Sequence, residues 1–145
     1  MNCLKSLGIM NAEETKPDTR RERRNTMWKR YLVEFGTGAD LHGMDVMEAA
    51  TRAVRDAVSH CCMCGLVETL GLKDLKKEMR ISMKIAAPDP EGVDPEPLKK
   101  LLIADDVDVE VVQGGMLLNG IHVDEFGRGD QIMVVNVGLT VFVKA

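Results

Sequence analysis

The chain has 145 residues and a mass of 16.0 kDa, with 45% apolar and 29% charged residues, the balance of one ordinary globular domain. Nineteen Lys and Arg against 23 Asp and Glu leave a net charge of −4 and a pI near 5.4, which gives no basic footprint for nucleic acid. No apolar run approaches the ~20 residues that a spanning helix needs, so no membrane partner is expected.

Residues 1–27 lack apolar periodicity and are dense in charge around Arg20, Arg21, Arg23 and Arg24. Such a stretch buries too little apolar surface to offset its ordering entropy, so it reads as a disordered extension, with a single domain over 28–145. It has no secretory apolar stretch, and Glu13, Glu14, Asp18 and Glu22 are uncommon in transit peptides, which favours the cytoplasm.

The folded part begins near Trp28. Tyr31, Val33 and Phe35 alternate with Arg30, Leu32 and Glu34, the period of a strand. Gly36–Asp45 then reads as a Gly-rich turn. From Asp45, the positions Val46, Ala49, Ala50, Ala53, Val54, Ala57, Val58 and Cys61 form one apolar stripe, which predicts a helix whose polar face carries Glu48, Arg52 and Asp56. Asp45 and Glu48 have the form of a capping box, and Gly65 or Gly71 can end the helix or its continuation.

Met79, Ile81, Met83 and Ile85 alternate as a second strand, and Asp94-Pro95 opens a short helix. Val107, Val109 and Val111 mark a third strand. Asn119-Gly120 has the signature of a type I′ hairpin between 116–118 and 121–123, and a long apolar strand closes the chain at 132–143. This order predicts an α+β fold, a two-layer sandwich of a mainly antiparallel sheet of five or six strands under one long helix and a short second helix. Two helices hardly cover both faces of such a sheet, so a homo-oligomer formed through the sheet is expected.

The segment from Gly36 to Asp45 is the richest in chemistry. It joins a strand end to a helix start, where free N–H groups favour anions. In the functional reading His42 is a general acid/base and Asp40 its orienting partner, both catalytic. Gly36, Thr37, Gly38, Gly43 and Asp45 bind an anionic or carbonyl group of a small-molecule ligand. Hydrolysis or isomerisation of a small polar metabolite fits better than hydride transfer, because the third glycine of a dinucleotide fingerprint is missing. A second reading joins Asp40 and His42 to a metal with His60 or His122. A third makes the glycines a plain turn, with Asp40 and His42 bonded internally, in a non-catalytic module that assembles through its sheet. No motif names a cofactor.

Three of the four cysteines, Cys61, Cys62 and Cys64, crowd into four positions, where mutual pairing is expected to be strained. Their expected roles are structural, with Cys61 extending the apolar stripe and Cys62 and Cys64 filling gaps in a reducing compartment. His60 to Cys64 cannot aim four ligands at one metal from a single helical turn, and no second cysteine pair exists. His122 reads as a solvent-facing strand residue. Asp124, Glu125, Arg128 and Asp130 read as a solvated turn, and Asn136 as a buried, hydrogen-bonded interruption of the last strand. A GxSxG elbow, a P-loop and HExxH are absent.

Gly36, Gly38, Asp40, His42 and Gly43 fill every fixed position of GxGxDxHG immediately after a first strand. In this the chain resembles the "Lin" family of conserved hypothetical proteins of bacteria and plants, over about residues 28 to 145. The resemblance implies functional weight for Asp40 and His42 but brings no established reaction. Plant members carry an N-terminal extension, so the resemblance implies a plant or algal source and keeps a plastid location open.

Overall fold

The structure, a computed structural model, describes residues 28–125 and 129–144. The expected extension over 1–27 and Arg128 lie outside the described residues. In chain order the elements are β1 (Trp28–Asp40), α1 (Val46–Ser59), α2 (Cys64–Glu68), α3 (Leu75–Glu78), β2 (Met79–Ala87), α4 (Pro95–Lys99), β3 (Asp106–Gln113), β4 (Met116–Asn119) and β5 (Gln131–Lys144). The fold is α+β: a five-stranded sheet in the order β1-β5-β2-β3, with β4 paired to β5 beyond the end of β2. β5 runs antiparallel to β1, β2 and β4, and β3 lies parallel to β2 through the α4 crossover.

The helices lie on one face of the sheet. Ala49, Ala50, Ala53, Val54 and Ala57 of α1 are fully buried in the same cluster as Met79, Met83 and Ile85 of β2 and Val135, Val137 and Leu139 of β5. Leu66 of α2 and Leu98 of α4 extend this layer. On the opposite face Val33 and Phe35 are exposed, Phe35 to 76%, and no element among the described residues packs over them.

Helix ends follow local chemistry. Asp45 caps α1 by accepting from the Glu48 N–H at 3.0 Å, and Asp94 caps α4 by accepting from Glu96 with Pro95 in the first turn. Helix α1 stops at Ser59, and Gly71, at φ 69°, closes the α2 segment, with the Leu72 N–H on the Leu66 carbonyl and the Gly71 N–H on that of Val67.

Three expectations are corrected. Gly36-Thr37-Gly38-Ala39-Asp40 is strand rather than turn, because β5 pairs with β1 as far as Asp40↔Met133. The Asn119-Gly120 hairpin does not form. β4 pairs instead with residues 131–134, and a longer loop is closed by the Gly120 N–H on the Asp130 carbonyl at 2.6 Å. Pairing with β5 joins β4 to a strand already held from both sides, whereas Ile121 stays 77% exposed. Finally, Asn136 is exposed on the open face, where its Oδ1 accepts from the Thr37 hydroxyl at 2.9 Å.

Candidate functional site

The GxGxDxHG residues lie where β1 passes beneath α1 and turns into it. Gly36 and Gly38 point at the helix. A Cβ on Gly36 would overlap the backbone of Ala53 and Ala57, and one on Gly38 that of Ala49 and Ala53. The alanines at 49, 53 and 57 sit one helical turn apart, so their backbone rests directly on the glycines. These two glycines therefore serve close backbone packing, for which any side chain is too large.

That closeness brings the polar side of α1 over the free edge of β1. The Thr37 N–H donates to Asp56 Oδ2 at 2.9 Å, and Arg52 Nη1 donates to the Ala39 carbonyl. An edge strand otherwise presents these groups to water or to another strand. Arg52 and Asp56 belong by periodicity to the solvated helix face, and sequence reasoning gave them no role. Only the packing of α1 on β1 shows that they reach the edge.

Asp40 closes the arrangement. It is 9% exposed, its Oδ2 accepts from the Asp45 N–H at 2.9 Å, and its Oδ1 stands 3.6 Å from Arg52 Nη1. The capping box predicted at Asp45 is thereby modified. The Asp45 N–H that Glu48 would take in a reciprocal box belongs to Asp40, and Glu48 pairs with Arg52 at 2.9 Å. Gly43 covers the same carboxylate, since a Cβ there would stand 2.6 Å from Asp40 Oδ2. His42 is half-buried and its carbonyl accepts from the Gly129 N–H at 2.9 Å. Beside it Met44 has φ 53°, the left-handed region that an L side chain enters at a cost.

The structure thus gathers Asp40, Gly43 and Asp45 around one carboxylate and sends Gly36 and Gly38 under the helix. The metal reading is not supported. His60 follows the far end of α1, where it faces Asp56 at 3.8 Å, and His122 pairs with Asp124 at 2.8 Å. Among the described residues no three His, Cys, Asp or Glu side chains gather to hold a metal ion. A cleft of 310 Å³ between Lys76, Lys99, Leu102 and Asp105 lies at the other end of the sheet, and none of the predicted site residues lines it. No helix among the described residues is long and apolar enough to cross a membrane.

The cysteines also depart from expectation. Cys61 is half-buried, with its Sγ 3.5 Å from the Ala57 carbonyl, and burial, with Glu34 nearby, pushes its thiol above the usual range. Cys62 and Cys64 are exposed rather than gap-filling, because α1 has ended and the backbone of 61–63 is irregular.

No curated protein matches the chain. It is similar to an FtsZ-like protein of unknown function from Nostoc punctiforme, known from a crystal structure. The two are 32% identical over 82% of this chain and 98% of that one, with a TM-score of 0.73. A family model matches residues 30–141, and the chain belongs to the conserved hypothetical protein family Lin0512_fam.

Proposed function

We infer that the chain is a non-catalytic assembly module that pairs with a second copy of itself through the open face of its sheet, while the GxGxDxHG segment locks helix to sheet. The observation that carries this reading is the exposure of Phe35 and Val33 on a face that no described element covers. Strands of 13, 14, 9 and 8 residues, about 4.8 Å apart and rising about 3.3 Å per residue, offer about 700 Å², near the ~800 Å² per partner of a standard interface.

Charge favours a second copy as the occupant. At one level across the sheet stand Arg30, Phe142, Arg80 and Asp106, and Asp108 and Glu110 continue the acidic edge on β3. A two-fold axis along the strands sets Arg30 over the partner's Asp106, which also pairs with Arg80 of its own chain at 3.5 Å, so the face is complementary to itself in charge at that level. Sedimentation of the full chain tests the reading. A dimer that Phe35→Glu turns into a folded monomer is expected. A monomeric wild type, or a dimer indifferent to Phe35→Glu, overturns it.

A second reading keeps the acid/base site on a small polar metabolite, with His42 as general acid/base and Asp40 holding it. Its support is the left-handed Met44 beside His42, since such backbone gathers at functional sites. With Gly36 and Gly38 under the helix, the ligand would meet only residues 40–45. Titration with small carboxylates and phosphates tests this. Saturable binding lost in His42→Ala supports it, and binding that is absent or unaffected removes it.

A further inference from the structure

Cys62, in the link between α1 and α2, and Cys64, the first residue of α2, face each other. Their sulfurs are 3.3 Å apart in a hydrogen bond, and both side chains are exposed. They lie two residues apart, Cys62 in irregular backbone and Cys64 at the start of α2, with Met63 between them at φ −101° and ψ 17°. Contraction from 3.3 Å to the ~2.05 Å of a disulfide is a movement of about 1.2 Å. We propose that Cys62 and Cys64 form a reversible dithiol–disulfide site, with Cys62 the attacking and Cys64 the resolving sulfur, and a peroxide as the oxidant.

The two sulfurs are not equivalent. The backbone N–H of Cys64, with the Cys64 thiol, holds the Cys62 thiol below its usual range. The Cys64 thiol is pushed up, first by its hydrogen bond with Cys62 and then by the charge there. An attacking thiolate beside a protonated neighbour is the division of labour that two-step disulfide formation needs. Cys61 is set apart by its contact with the Ala57 carbonyl and its partial burial.

The chemistry balances with hydrogen peroxide. The Cys62 thiolate attacks one oxygen, the S–O bond forms as O–O breaks, and the departing hydroxide takes a proton to become water. Cys62 is then a sulfenic acid, oxidised by two electrons. The Cys64 sulfur gives up its proton and attacks Cys62. The S–S bond forms as S–O breaks, and the departing hydroxide takes that proton as a second water. Two equivalents of a thiol reductant reverse the sequence by thiol–disulfide exchange. Gly65, next to Cys64, lies against the Tyr31 hydroxyl of β1.

The test treats the full-length reduced chain with one equivalent of hydrogen peroxide, alkylates the remaining thiols, and weighs the tryptic peptide spanning 56–73, which holds all three cysteines. The expected product is about 2 Da lighter before alkylation, alkylated at Cys61 alone, and restored by dithiothreitol. Cys61→Ser should form the same bond. Cys64→Ser should stop at a Cys62 sulfenic acid that dimedone captures. Cys62→Ser should slow peroxide consumption about fivefold or more, through loss of the activated thiolate. Far-UV circular dichroism checks that each variant is folded. Four outcomes overturn the proposal: a bond from Cys62 to Cys61, a bond to Cys3, a bond to another chain, or separate oxidation of Cys62 and Cys64 to sulfinic acids.

Discussion

The two faces of β1 carry opposite residue types in opposite surroundings. The side facing α1 holds Gly36, Gly38 and Asp40, all buried, whereas the other side holds Val33, Phe35 and Thr37, all exposed. Ordinary amphipathic strands do the reverse, with β-branched and aromatic residues inside. The inversion has a physical reason on the buried side. Backbone-to-backbone packing under α1 needs the absence of side chains, while on the open face the bulky side chains of Val33 and Phe35 stand exposed.

The comparison breaks most sharply at Gly38. Gly38→Ala places a methyl group in the backbone of Ala49 and Ala53. A rigid strand cannot retreat from it without losing the edge bonds to Arg52 and Asp56. A loss of about 3 kcal/mol or more is expected, read as a fall of about 10–15 °C in Tm. Unchanged Tm in that variant would mean that α1 does not rest on the strand. Asp40→Ala comes next. It leaves the Asp45 N–H without its buried acceptor and removes one carboxylate that pairs with Arg52, at about 2–3 kcal/mol in denaturant unfolding.

On the open face the expected outcome has a different form. Phe35→Ser should shift the unfolding free energy of the monomer by no more than about 0.5 kcal/mol. It should also abolish any rise of Tm with protein concentration, which a wild-type dimer shows by mass action. The smallest effect lies away from both faces, at Glu78. The N–H groups of Asp74 and Lys73 hold its carboxyl below the ordinary carboxylate range. Its contribution is complete above the usual Glu value of about 4.3 and is lost as pH falls through the lowered folded value. Glu78→Gln should therefore reduce stability slightly at neutral pH and flatten the acid side of the stability curve.

Much of this was legible because it is local. The stripe from Val46 to Ala57 and the caps at Asp45 and Asp94 each depend on residues within a few positions, and the structure contains them as expected. The strands at 79–87 and 106–113 likewise follow from alternation. The site was legible as a place and misread as a shape. Glycines after a strand look like a turn, and nothing near Gly36 in sequence announces that a helix backbone lies above it. Asn119-Gly120 failed for a related reason, since its local preference competes with the pairing that β5 offers to residues 116–119.

The sequence by itself determined the α+β class, the long helix and its capped start, and the outline of the candidate segment from Gly36 to Asp45. These follow from periodicity and from residues that satisfy their near neighbours. Only the tertiary structure decided that the glycines pack against α1, that Asp40 serves the Asp45 N–H and Arg52, that Asp56 clasps the edge of β1, and that the thiols of Cys62 and Cys64 meet. Each of these joins groups from different elements, or from a link whose backbone has no repeating period. The distances that matter are set by how closely a helix can approach a strand, and no spacing along the chain records that.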